Sequence, residues 1–360
     1  MLAPPWIPVP APAYGGIEEV VRLLCDGLAA RDHDVTLFAP PGSDSRAAVV
    51  PLLEEPHPEA IEKAEFEADH VARAFAEIDA ARERGEPFDV IHDHVGHTAL
   101  AMADRVSAPL VHTLHGPFTD SARRFYARHG WKAQIVAISQ AQLDDAPPEM
   151  GGGDVVHNPI DCREWPFCAE KEDYLLWIGR MSPDKGPQRA IAAALEAGAP
   201  LVLAGPVQPG QEEFFAAEVE PRLGRDGIEY VGEADAERKR DLYRRARALL
   251  MPIRWKEPFG LVMVESLACG TPVIAFPEGS APEVVEHGRT GFVVDDEHRM
   301  ARAIGRLDEI DPAACRDSCE RRFGVPAVLS GYERVYRAAA ARSVLAPAGG
   351  RSGAVSGAGA

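Results

Sequence analysis

No run of apolar residues in this chain approaches the roughly 20 needed for a helix to cross a bilayer, so no membrane-spanning segment is expected. Cysteine is sparse. The six residues Cys25, Cys162, Cys168, Cys269, Cys315 and Cys319 form no CxxC pair and no zinc quartet, which reads as reduced thiols in a cytoplasmic protein. Cys315 and Cys319 sit one helical turn apart, and no function is assigned to them. Basic residues are outnumbered 38 to 56, for a net charge of -18. That balance argues against non-specific binding to nucleic acid or an anionic membrane, while leaving room for a local basic site for a phosphate. The opening MLAPPWIPVPAPA has a small-residue end resembling a cleavage site, but it lacks a basic n-region and carries five prolines, so it is not read as a signal peptide. No GxGxxG follows a strand with an acidic residue about 20 positions further on, which counts against an NAD-dependent oxidoreductase.

What is present suits two domains. At 360 residues, with 46% hydrophobic and 26% charged residues, the chain is too long for one ordinary core and apolar enough for two. Short β-branched runs alternate with amphipathic stretches, the pattern of βαβ units around a parallel sheet. Strands are predicted at 35–39, 89–92, 110–114 and 135–138, with helices at about 17–31, 60–84 and 119–129. The Pro-, Gly- and Asp-rich stretch 141–173 reads as an interdomain hinge. A second series of strands follows at 174–178, 200–204, 228–231, 247–251, 272–275 and 291–294. The division therefore falls into residues 1–145 and 155–320. Segment 297–342 is helical by composition, and 343–360 is a low-complexity tail expected to be disordered. Only MLA precedes the PPW segment, so the first strand is unusually short, or the start lies further upstream.

Four clusters carry chemistry. In EPFGLVMVESLACG, Glu257 and Glu265 are separated by seven intervening residues and a helix is predicted from about Pro258. Its first-turn amides, at Gly260, Leu261 and Val262, are unpaired donors at the positive end of the helix dipole and suit a phosphate. Leu261 and Glu265 share a face with a rise of about 6 Å, the step from a diphosphate to a ribose. Glu257 falls on the other side of the phosphate, beside a sugar. In WIGRMSPDKG, Arg180 ends a strand and Lys185 precedes a helix, so both point to the crevice beyond the strand ends, where they can stabilise the charge of a departing diphosphate. Gly15 and Gly16 stand before a helix and allow close approach of a phosphate. His115 ends a strand facing the same crevice. Each pattern alone also fits a blander reading: a core helix with two solvated glutamates, solvated cations, a bare turn, a structural histidine. His92, Asp93, His94 and His97 could mimic a metal site but lack a matching carboxylate cluster. Asp32 and Asp34 spell a DxD, read as an exposed loop, and no metal site is expected.

Together these segments resemble family 4 of the retaining GT-B glycosyltransferases, in the subgroup typified by the avilamycin-biosynthesis enzyme. The matching pieces are APPWIPVPAPAYGGIEEVV, HDVTLFAPPGSDS, TLHGP, DYLLWIGRMSPDKGP, LAGPV and EPFGLVMVESLACGTPVIAFPEGSAPEVVEHGRTGFVVDD. The resemblance implies two Rossmann-like domains facing each other across a cleft, with the acceptor on the first, the donor on the second, and a final helix, 326–341, crossing back to the first. It implies that Glu257 lies near the donor sugar and Glu265 on the ribose, with Arg180 and Lys185 gripping the diphosphate. The Gly16 loop would close over that diphosphate, and His115 would stand beside the reacting sugar. It further implies a UDP-sugar as the leading donor, a small-molecule, glycan or natural-product acceptor, no cofactor, no metal, and front-face retention. The other readings on such a fold are a non-catalytic nucleotide-sugar binder and a sugar phosphorylase or epimerase. Intact Glu257, Lys185 and His115 count against a pure binder.

Overall fold

The computed structural model describes residues 1–12, 15–61 and 63–345. The tail read as disordered lies, from residue 346 on, outside the described residues, as do Ala13 and Tyr14. The strands are β1 Thr36–Ala39, β2 Ala48–Pro51, β3 Ile91–Asp93, β4 Leu110–Thr113, β5 Gln134–Ala137, β6 Asp154–Val155, β7 Leu175–Ile178, β8 Leu201–Ala204, β9 Ile228–Tyr230, β10 Ala248–Met251, β11 Val273–Ala275 and β12 Gly291–Val293. The architecture is α/β, with two Rossmann-like domains.

The second sheet runs β12-β11-β10-β7-β8-β9, all parallel. The chain enters at β7, winds outward to β9, returns to β10 beside β7, and winds the other way to β12. That doubly wound order has its switch point between β7 and β10. Leu175, Leu176, Leu249, Leu250, Val273 and Ile274 are all buried, as near-continuous apolar strands covered on both faces require.

The first sheet pairs β2 with β1 and runs β3-β4-β5-β6. Residues 1–3 join the halves: Leu2 bridges both Phe38 and Asp93. The Leu2 amide donates to His92 O at 2.8 Å, the Ala3 amide to Phe38 O at 2.9 Å, and the His94 amide to Leu2 O at 3.0 Å. The short segment seen in the sequence is thus the centre of this sheet, with Leu2 fully buried.

The structure departs from the sequence reading in several places. β2 falls on AVVP, which the sequence reading did not mark as a strand. The stretch read as hinge still serves the first sheet, since Gln140–Asp144 is helical and β6 pairs with β5. The segment 297–342 is helical, as its composition suggests. It breaks into helices Glu297–Ile304, Pro312–Phe323 and Val325–Leu345, separated where the chain turns at Gly305 and Gly324. The Val325 helix packs on the first sheet: Val328, Leu329, Tyr332, Val335 and Ala339 share a buried cluster with Val20, Leu24, Leu28, Val111 and Val136. Gly27 lets the two helices close, since a Cβ there would lie 2.6 Å from Leu329 Cδ1. Among the described residues no helix is long and apolar enough to cross a membrane.

Candidate active site

The loops after β7 and β10 open at the switch point of the second sheet, and one backbone bond and one side-chain bond lace them together. The Arg254 amide donates to Asp184 O at 2.9 Å, and Arg189 Nε to Pro252 O at 2.6 Å. Arg180 and Lys185 ride on the first loop, Glu257 on the second. Lys185 Nζ donates to Glu257 Oε2 at 2.6 Å, with both side chains mostly buried. The same ammonium lies 4.3 Å from the centroid of the Trp255 ring. Arg180 is exposed, and its side chain makes no ion pair or hydrogen bond within the described residues. Gly279, at φ +55°, lets the chain pass against Glu257, because a Cβ there would sit 2.2 Å from Glu257 O. The Ser280 amide donates to that oxygen at 3.0 Å.

The helix expected from about Pro258 begins instead at Leu261 and runs to Ala268. Gly260 caps it at φ +74°, in the left-handed region where a side chain is strained, so the turn continues three residues past the proline. The Met263 amide donates to Gly260 O at 3.0 Å, while the amides of Leu261 and Val262 have no partner among the described residues. Four residues into this helix, Glu265 is held at both oxygens. Lys239 Nζ donates to Oε1 at 2.6 Å and Tyr243 Oη to Oε2 at 3.0 Å. Those two partners are four apart on the helix Ala236–Arg245 and so share a face. The sequence reading missed both, since nothing local ties them to Glu265.

The first domain supplies the facing wall. Gly16 opens the helix Gly16–Ala29, and a Cβ there would come 3.1 Å from Leu261 Cδ1. The glycine thus meets the start of the Leu261 helix across the cleft. Gly15, just before it, has no room for a Cβ beside Ala11 and the Glu18 carboxylate. Glu18 was not singled out in the sequence; it is buried in the first turn, and burial raises its pKa.

His115 follows β4 and pairs with His94, Nδ1 of His94 lying 2.8 Å from Nε2 of His115. Burial lowers the pKa of His94 far below the imidazole range and that of His115 to about 3. The four residues that could mimic a metal site go separate ways. His92 bonds Tyr336 and Thr113, Asp93 bonds His112 at 2.6 Å, His94 takes His115, and His97 packs on Phe125. Asp32 and Asp34 are exposed between the Gly16 helix and β1.

Three contacts clasp the domains. Lys256 Nζ meets Asp145 Oδ1 at 2.6 Å. Arg22 Nη2 meets Glu164 at 2.8 Å, in the stretch 141–173 read as the hinge. Glu283 caps the Gln140 helix, accepting from the Gln140 and Ala141 amides at 2.8 and 2.6 Å. Burial pushes the Glu283 carboxyl up, but hydrogen bonds from His157 and these amides hold it below its usual value.

The structure therefore brings Lys185 to Glu257 and Gly16 to Leu261, and pairs His115 with His94. Glu265 stands a helical turn further on with partners of its own.

Comparison with known proteins agrees with this architecture. Residues 14–164 match the family described as Glycosyltransferase Family 4, and residues 164–316 that described as Glycosyl transferases group 1. The glycogen synthase of Mycobacterium tuberculosis is 28% identical over 358 residues, covering 85% of each chain. AviGT4, a glycosyltransferase involved in avilamycin A biosynthesis, superposes with a TM-score of 0.70 at 26% identity, covering 94% of this chain and 97% of that one. Anabaena HepE in complex with UDP superposes with a TM-score of 0.69 at 20% identity, covering 89% and 96%. This chain is a GT-B glycosyltransferase of the group 1, family 4 type.

Proposed function

We propose that the enzyme transfers a hexosyl group from a nucleoside diphosphate sugar, with UDP as the carrier, and retains the anomeric configuration. The carrying observation is the switch point of the second sheet, where the loop bearing Arg180 and Lys185 meets Glu257 through the Lys185–Glu257 pair, beside two helix-start amides that have no partner among the described residues. Amides at a helix start and two cations fit a diphosphate. Glu265 accepts from the ribose hydroxyls, its orientation fixed by Lys239 and Tyr243. Glu257 faces the sugar as it gains positive character, and His115 borders the sugar from the other wall. Gly16 lets the first domain close on the phosphates.

In this reading the leaving diphosphate is stabilised by Arg180, Lys185 and the Leu261 and Val262 amides, the work a divalent ion does in other enzymes. The acceptor hydroxyl attacks from the face the diphosphate leaves, and the departing phosphate oxygen takes its proton. No cofactor is required; the nucleotide sugar is a substrate. The occurrence of UDP in the complex of the HepE fold relative and the likeness to AviGT4 support the donor class and the subgroup.

A thermal-shift panel of nucleoside diphosphates and their sugars tests the proposal, since a ligand bound only by the folded state raises the melting temperature. UDP and one UDP-sugar should give the largest shifts. A panel in which no nucleoside diphosphate stabilises the protein would overturn it.

A further inference from the structure

We propose that Trp255 is a positioning residue, holding the Lys185 ammonium ready for the donor diphosphate; this rests on the donor reading above. Lysine is a flexible stem ending in a compact charge, and its attraction to a phosphate is useful only if the ammonium is already in place. Here the ammonium meets the Glu257 carboxylate at 2.6 Å and lies 4.3 Å from the centroid of the Trp255 ring. The two differ in kind. A carboxylate competes with an incoming phosphate for the same protons, whereas an indole face attracts the cation without accepting a conventional hydrogen bond. When a diphosphate draws Lys185 away from Glu257, the ring still confines the charge, and the carboxylate is released toward the sugar.

Two further observations support this. The ring is carried on the loop laced to the one bearing Lys185, through the Arg254 amide and Asp184 O at 2.9 Å. The indole Nε1 is buried with no hydrogen-bond partner among the described residues. A residue present only to fill space would be better as phenylalanine or leucine, which leave no donor unpaired. Among the aromatic side chains the indole face binds a cation most strongly.

The test uses the full chain with its lysines reductively dimethylated with carbon-13, which keeps their charge. The Lys185 methyl signal, assigned by its loss in Lys185→Met, should be shifted upfield by the indole ring current. It should stay partly shifted in Trp255→Phe and move to the position of exposed lysines in Trp255→Leu. Calorimetry with UDP on unmodified protein should show Trp255→Phe binding nearly as well as wild type, and Trp255→Leu binding about 3- to 10-fold more weakly. In a Lys185→Met background Trp255→Leu should add no further loss. An unshifted Lys185 signal in the wild-type protein would overturn the proposal. So would a Trp255→Leu penalty of equal size with and without Lys185. If the wild-type protein failed to bind UDP while the ring-current shift was present, the donor reading would fall and the Trp255–Lys185 contact would stand.

Discussion

The two walls of the crevice handle charge in opposite ways. The second-domain wall carries formal charges in close pairs, Lys185 with Glu257 and Lys239 with Glu265, each at 2.6 Å. The first-domain wall is built around imidazoles held neutral: burial depresses His92 and His94 far below their usual range and His115 to about 3. A wall of paired ions can exchange a carboxylate for a phosphate, which frees the carboxylate to face developing positive charge. A neutral wall offers hydrogen bonds to sugar hydroxyls without drawing a second anion. In the proposed reading the donor's charge lies on the ionic side and its uncharged part towards the neutral one.

The sharpest way to break that comparison is to remove charge from the sugar side of the ionic wall. Glu257→Gln should lower kcat by about 10²- to 10³-fold, the cost of losing one group aimed at developing charge, read by steady-state kinetics with the donor found in the thermal panel. Loss confined to KM would contradict it.

The neutral wall can be loosened without touching any ion pair of the site. Leu329, buried on the Val325 helix against Gly27, should cost about 2–5 kcal/mol of stability when changed to alanine, measured by urea unfolding. UDP affinity of the folded protein should be unchanged.

Acid should distinguish the walls next. His70, His92, His94 and His115 all have folded-state pKa values depressed first by burial, while unfolded histidine titrates near 6.5. Below that pH the unfolded state binds more protons, so the stability these groups contribute is present above about pH 6.5 and is lost as pH falls. The slope approaches about 1.4 kcal/mol per pH unit for each histidine. Urea unfolding at pH 7.5 and 5.5 should show that loss, and equal stability at the two values would refute the neutral wall. The smallest effect is expected from chelation: activity should survive exhaustive treatment with a chelator, and loss restored by magnesium or manganese would show that Arg180 and Lys185 do not suffice.

Much of the fold is legible in the sequence because parallel strands buried on both faces leave dense β-branched runs, as in VTLFA and PVIA. What escaped was short or set by tertiary contact. β6 is a two-residue strand inside a Pro- and Gly-rich stretch, and residues 1–3 gain strand character only between β1 and β3. The start of the Leu261 helix was misplaced because Pro258 suggests a first turn, whereas the left-handed Gly260 postpones it. The site motif fixed which carboxylates and cations to examine, but not their partners. Lys239, Tyr243 and Trp255 reach Glu265 and Lys185 only through folding, and the pairing of His94 with His115 joins two strand ends 21 residues apart.

The central claim is that the donor lies along the Leu261 helix with its ribose at Glu265 and its sugar at Glu257. Calorimetric titration of UDP into Glu265→Gln and Glu257→Gln, each confirmed folded, tests it most directly. Glu265→Gln removes a charged acceptor from the ribose and should weaken UDP binding by roughly 1.5–3 kcal/mol, whereas Glu257→Gln should bind UDP nearly as well as wild type. If Glu257→Gln abolished UDP binding while Glu265→Gln left it untouched, the donor would lie along this helix in the opposite direction.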